Sequence, residues 1–244
     1  MLAVPIAITG SSEDRRTVLG VIFAAGAIAL LFWAKRTIVT DPRRRAIEAE
    51  GRRLGLAFSA RDRTGIASLP YDLLAHPATL REVDNVLRGT WEGTEVLVFE
   101  FRRANDETEW RYTCVMRPVP TGWPWLLLKP ETPLTRVARD AGLRDVELES
   151  ERFNRSFEVR SSDRRFATAV LEPRMMEWLM ELSPRYGFEI RDGWLLAFTT
   201  QVQPWEIDLV LRTGAEFLDR VPSVAHSLFG ADAPPRPDDP SRAP

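Results

Sequence analysis

A chain of 244 residues that is 44% hydrophobic and 28% charged has the make-up of an ordinary folded protein, long enough to bury a sizeable core. Its single cysteine, Cys114, excludes both an internal disulfide framework and a multi-cysteine metal site. The formal net charge is −2, and nine of the 33 basic residues fall in the first 53 positions against five of the 35 acidic ones. The rest of the chain is therefore acidic and lacks the basic face that nucleic-acid phosphates require, so nucleic acid is not an expected partner.

Residues 17–34 carry no charge and are bracketed by Arg15 and Arg16 on one side and by Lys35 and Arg36 on the other. As a helix this stretch covers roughly 27 Å, close to the roughly 30 Å of bilayer hydrocarbon, and Trp33 falls where an interfacial ring sits. No small-residue cleavage pattern follows it, so the sequence predicts a retained transmembrane helix over 17–36 behind an extracytoplasmic tail over 1–16. Lys35, Arg36, Arg43, Arg44, Arg45, Arg52 and Arg53 outnumber the two arginines ahead of the span, and the positive-inside rule places the C-terminal bulk in the cytoplasm. Gly20 with Ala24 and Ala25 with Ala29 have the small-residue spacing that allows two spans to pair, which leaves a homodimer open.

Asp41 followed by Pro42 is a helix start, and a basic juxtamembrane helix is predicted over 40–55. Its arginines, with Lys35 and Arg36, are candidates for contact with anionic lipid headgroups. Beyond it, 56–230 reads as one cytoplasmic domain, and the proline-rich stretch 231–244 reads as disordered.

Within the domain, Glu92-Gly93 and Asp192-Gly193 each separate two strand-like runs, the signature of two-residue hairpins. Strands are predicted over 86–91, 94–103 and 109–119. In the third, Trp110, Tyr112, Cys114 and Met116 alternate with polar residues, Val115 excepted, which predicts one buried face and one wet face. The stretch 123–129, with prolines in and beside it, reads as an edge strand. A short helix over 134–143 and a strand over 145–149 follow, the latter aligning Asp145, Glu147 and Glu149 as candidate acid–base or cation-binding carboxylates. Asp163 is placed to cap a helix burying Phe166, Ala167, Val170 and Leu171, and Pro173 opens another in which Met175, Trp178, Leu179 and Leu182 form a stripe. With Met176 and Met180 beside them, Met175 and Trp178 are candidates for an adaptable apolar groove, or for plain core. A long helix is predicted from Pro204 to about Val221.

The segments from Glu149 to Arg160 and from Leu171 to Leu179, with their FNRxF and LxPRMMEWL patterns, resemble a group of uncharacterised actinobacterial single-pass membrane proteins. The resemblance covers most of the chain after the apolar stretch and implies membrane location, with no activity or catalytic residues to carry over.

The fold class expected is α+β: an N-terminal transmembrane helix, then a largely antiparallel β-sheet domain covered on one face by helices. His76 and His226 lie far apart without a nucleophile partner, no glycine-rich phosphate loop is present, and Cys114 falls on an apolar face. No catalytic residue, metal or cofactor is assigned. The functional reading is a membrane-anchored, non-catalytic cytoplasmic module that binds a protein partner, a lipid or a small ligand. The alternatives are a structural subunit of a membrane complex and an enzyme built on Asp145, Glu147 and Glu149. The orientation is tested by a reporter fused after Pro244 that matures only outside the cytoplasm: it is expected to stay silent, and activity overturns the topology.

Overall fold

The computed structural model describes residues 26, 42–130, 146, 148, 150–182 and 185–230. The predicted span (Gly26 apart), Lys35, Arg36, the helix over 134–143, the carboxylates Asp145, Glu147 and Glu149, and the tail from residue 231 lie outside the described residues. The chain divides into a unit Met1–Arg45 and a unit Ala46–Pro244, and the architecture below is that of the second.

Eight strands form one antiparallel sheet in the order β1-β2-β3-β4-β8-β7-β5-β6. They are β1 (Ala57–Arg61), β2 (Leu80–Trp91), β3 (Thr94–Ala104), β4 (Glu109–Pro118), β5 (Leu126–Pro130), β6 (Phe157–Ser161), β7 (Gly187–Arg191) and β8 (Trp194–Thr200). The two hairpins fall where the sequence places them. Glu92 and Gly93 have φ of 48° and 78°, and Asp192 and Gly193 have φ of 51° and 78°, the left-handed pair that matches the twist of the flanking strands. Strand β2 begins six residues before the predicted start because it continues through a bulge. Asn85 has φ of 52°, and the register to β3 skips between Asp84 and Leu87.

The helices are α1 (42–53), α2 (Asp72–Ala75), α3 (Glu151–Asn154), α4 (Arg164–Val170), α5 (Pro173–Glu181), α6 (Ile207–Asp219) and α7 (Ser223–Phe229), with 3-10 turns at Ile66–Ser68 and Pro204–Glu206. Asp163 caps α4 as predicted, its Oδ1 accepting from the amides of Arg165 and Phe166 at 2.8 and 3.2 Å. Pro173 opens α5, and Pro204 opens the turn that leads into α6. In the FNRxF segment, Phe153 and Phe157 stack at 4.9 Å. Between them, the amide of Asn154 clamps Leu148 by accepting from its N–H (3.2 Å) and donating to its carbonyl (2.7 Å).

Two readings need correction. The stretch containing Leu126–Lys129 is not an edge: β5 lies between β7 and β6, with Leu126, Leu127 and Leu128 all buried. Pro124 precedes the strand and Pro130 ends it, so neither removes a donor from its middle. Nor does β4 have a wet face over its second half. Thr113, Val115 and Arg117 are buried, as Cys114 and Met116 are on the other side, with Val115 and Arg117 beneath Gly214 of α6. Arg117 achieves this by laying its stem beneath Gly214 of α6 and its guanidinium over the Trp91 ring at 5.5 Å.

The sheet is therefore covered twice. One face carries the larger core, to which Ile47 of α1 and the buried stripes of α4, α5, α6 and α7 contribute. The opposite face carries a second core of Val83, Val86, Phe99, Phe101, Cys114, Met116, Leu196 and Phe198, closed by Ile66, Tyr71, Leu73 and Leu74. The helices expected on one face are there, and the second face is closed by the segment leading into α2.

Gly187 leaves room for the Phe198 ring opposite, and a Cβ there would overlap it. Gly187→Ala is expected to lower stability by about 1–3 kcal/mol, measured by urea denaturation. An unchanged midpoint would contradict the packing.

Candidate functional site

On the second face, where β2, β3, β4 and β8 pass beneath the segment from Thr64 to Tyr71, the sheet and this segment do not close completely. They leave a cleft of about 450 Å³, within the range of small-molecule sites. Its floor is Leu97 and Met116, register partners on β3 and β4, and one wall is Ile66, Leu69 and Tyr71. Trp194 at the start of β8 supplies an aromatic side, and Thr64, Arg88, Glu95 and Asp192 stand on the rim.

The wall is held at both ends. At its start, Asp62 folds the chain back on itself. Its Oδ1 accepts from the amide of Thr64 (2.7 Å) and its Oδ2 from the amide of Ile66 (2.6 Å), around Gly65 at φ of 78°. Burial works to raise the Asp62 pKa, but these hydrogen bonds outweigh it and hold the carboxyl below its ordinary value.

At the other end, the Tyr71 hydroxyl donates to the carbonyl of Arg191 at 3.1 Å, and the Asp72 amide donates to Glu189 Oε2 at 2.7 Å. Glu189 is fully buried and also accepts from the indole of Trp125 at 2.8 Å. Burial raises its pKa above the ordinary carboxylate value, while the Trp125 and Asp72 donors pull it back. Beside it, Lys129 Nζ lies 2.9 Å from Asp72 Oδ2 and 3.6 Å from Glu158 Oε2, and Arg160 NH1 lies 3.9 Å from Asp72 Oδ1. This half of the second face is a charged network that fastens α2 to β5, β6 and β7.

The residues singled out from sequence lie elsewhere. Met175 and Trp178 are buried in the larger core, on the opposite face of the sheet. The Trp178 ring lies 6.2 Å from that of Phe188 and 6.4 Å from that of Phe217, with Met176 and Met180 partly buried at the margin. On α1, Arg45, Arg52 and Arg53 are exposed, and Arg43 and Arg44 are half-buried. Arg53 donates to Glu50 at 2.6 and 2.9 Å. Cys114 is buried and its thiol is pushed well above its ordinary pKa by that burial, which leaves it protonated and inert. His76 is exposed with Nδ1 3.2 Å from the carbonyl of Pro77, and the His226 ring packs on Trp123 at 5.0 Å. Among the described residues no three His, Cys, Asp or Glu side chains gather as a metal site would require.

None of the cleft residues was singled out as functional from the sequence. The local signals for its wall were present, namely Asp62 two residues before Thr64, then Gly65 and Pro70, but they announce a turn and not what the turn lies over.

Comparison with known proteins gives a family described as a protein of unknown function (DUF3137), which matches residues 128–199. No curated protein matches the sequence. Among solved structures, the crystal structure of the mycobacterial trehalose monomycolate transport factor A, TtfA, is similar at a TM-score of 0.57 and 15% identity, over 80% of this chain and 97% of that one. At that identity the likeness is one of fold. Among the described residues no helix is long and apolar enough to cross a membrane.

Asp62 contributes stability that is present above its unfolded pKa of 3.8 and is lost as pH falls through its lower folded value. Asp62→Ala is expected to cost about 1–2 kcal/mol at pH 7, with the difference from the parent protein narrowing as the pH is lowered below 4. Urea titrations at several pH values measure it.

Proposed function

We propose that this chain is a non-catalytic accessory module that binds an apolar-bodied small ligand in the cleft beneath the Thr64–Tyr71 segment. The observation that carries this reading is the cleft itself, with an apolar floor of Leu97 and Met116, an aromatic side at Trp194 and a short polar rim. Behind the Tyr71 wall, the buried Glu189 and its neighbour Arg191 are engaged in holding the structure together. The likeness in fold to a protein titled a transport factor supports an accessory role.

The module is anchored by the apolar stretch 17–34, with its C-terminal domain in the cytoplasm and the exposed arginines of α1, Arg45, Arg52 and Arg53, facing anionic headgroups. A second reading, a subunit of a membrane complex, is favoured by Trp205 and Leu209, which are 69% and 57% exposed one helical turn apart.

The five methionines offer a direct test, since Met116 lines the cleft while Met175, Met176 and Met180 lie across the sheet. With the full chain labelled at its methionine methyl groups and held in lipid nanodiscs, 1-hexanol is expected to shift the Met116 resonance saturably and leave that of Met175 in place. Leu97→Trp, which fills the floor, is expected to remove the shift. A Met116 resonance that does not respond to hexanol in the parent protein refutes the reading.

A further inference from the structure

Trp205, in the 3-10 turn that leads into α6, and Leu209, in the first turn of α6, stand exposed among groups that match a lipid surface better than a protein one. Asp208, the residue before Leu209, has its Oδ2 3.8 Å from Arg53 at the end of α1 and accepts from Arg212 at 3.3 Å. In each ion pair here the cation is the outer partner. The side chains of Arg53 and Arg212 are 56% and 59% exposed, against 10% and 24% for those of Glu50 and Asp208. Beside Arg53, Arg52 is exposed, and its side chain makes no hydrogen bond or ion pair among the described residues. Glu206 is exposed too, but its carboxylate turns back to accept from the Gln203 amide at 2.8 Å.

The outward groups are thus three guanidinium groups bordering a tryptophan and a leucine. Guanidinium groups pair with phosphates, an indole settles at headgroup level and a leucine goes below it, which is the make-up of a surface that rests on an anionic bilayer. Two apolar side chains fall short of the centre of a stable protein interface, which engages about 20 residues a side. A tethered domain needs less. Residues 35–45 alone separate the uncharged stretch from the unit that begins at Ala46, and at full extension they span about 40 Å. The high local concentration that such a tether creates makes a weak patch sufficient.

We infer that the domain docks on an anionic bilayer through this patch, with Trp205 and Leu209 entering the boundary between headgroups and acyl chains and Arg52, Arg53 and Arg212 meeting the phosphates. This rests on the reading of 17–34 as a membrane anchor.

Cys114 is buried and protonated, so a cysteine introduced at the surface is the reactive thiol. The full chain is labelled with a fluorescent probe through Leu209→Cys or, on the opposite face of the sheet, through Glu95→Cys. It is held in nanodiscs of equal parts phosphatidylglycerol and phosphatidylcholine, some of the latter carrying a nitroxide near the top of the acyl chain. The probe at 209 is expected to lose emission to the nitroxide and the probe at 95 to keep it. Arg52→Gln is expected to lower the ratio of docked to free domain about fivefold, and nanodiscs of phosphatidylcholine alone to lower it further. If the chain is retained and the probe at 209 is quenched no more than that at 95, the inference is overturned and the anchor stands. Quenching indifferent to both Arg52→Gln and lipid charge has the same consequence. A probe at 209 that is unquenched in nanodiscs yet shielded from iodide in native membranes is covered by a protein, which also overturns the inference. A chain that the nanodiscs do not retain refutes the anchor, and the inference with it.

Discussion

The buried carboxylate of Glu189 is the point on which the second face of the sheet depends. It sits in the middle of β7 with no exposure to solvent, and a charge in that position is tolerated only when its lone pairs are taken by donors. The donors are the indole of Trp125, the first amide of α2 and, at 3.4 Å, the guanidinium of Arg191. Meeting that demand ties α2 down, and tying α2 down brings Tyr71, Leu73 and Leu74 onto the sheet. From that anchor back to the Asp62 turn, the chain has to lie across the ends of β2, β3, β4 and β8, and the cleft is what remains beneath it.

The two faces have different characters because different elements close them. Over the larger core, long amphipathic elements such as α6 bring whole rows of apolar side chains, and the result is a close-packed interior that includes Met175 and Trp178. Over the other face the cover is a 3-10 turn, a four-residue helix and the loop between them. Short irregular cover fills a sheet less completely than a helix does. Of the apolar side chains left partly uncovered, Leu97 and Trp194 line the cleft described above. The close-packed core thus lies on one side of the sheet and the cleft on the other.

The hairpins at Glu92-Gly93 and Asp192-Gly193, the cap at Asp163 and the helix starts at Pro173 and Pro204 were legible in the sequence because each rests on local chemistry: a φ that glycine or a preceding acidic or polar residue accepts, an amide donor waiting for an oxygen, or a proline at a first turn. Alternation along β4 was read as one dry and one wet face, and there it failed. An arginine counts as polar in any pattern, yet the stem of Arg117 packs beneath Gly214 and its head lies on Trp91. The central place of β5 was hidden for a related reason. Which strand has neighbours on both sides is decided by pairings with Phe157–Ser161 and with Phe188–Ile190, tens of residues away.

By itself, then, the sequence determined the class of the fold, most of its turns and caps, the acidic character of the domain, and the uncharged 18-residue stretch that reads as a span. These follow from composition and from interactions within a few residues. Only the tertiary structure decided that β5 is internal, that both faces of the sheet are covered, and that Thr64, Arg88, Glu95, Met116, Asp192 and Trp194 meet around one cleft. Those six residues come from four strands and two turns. Their meeting depends on strand order and on where Glu189 holds α2, which no local pattern encodes.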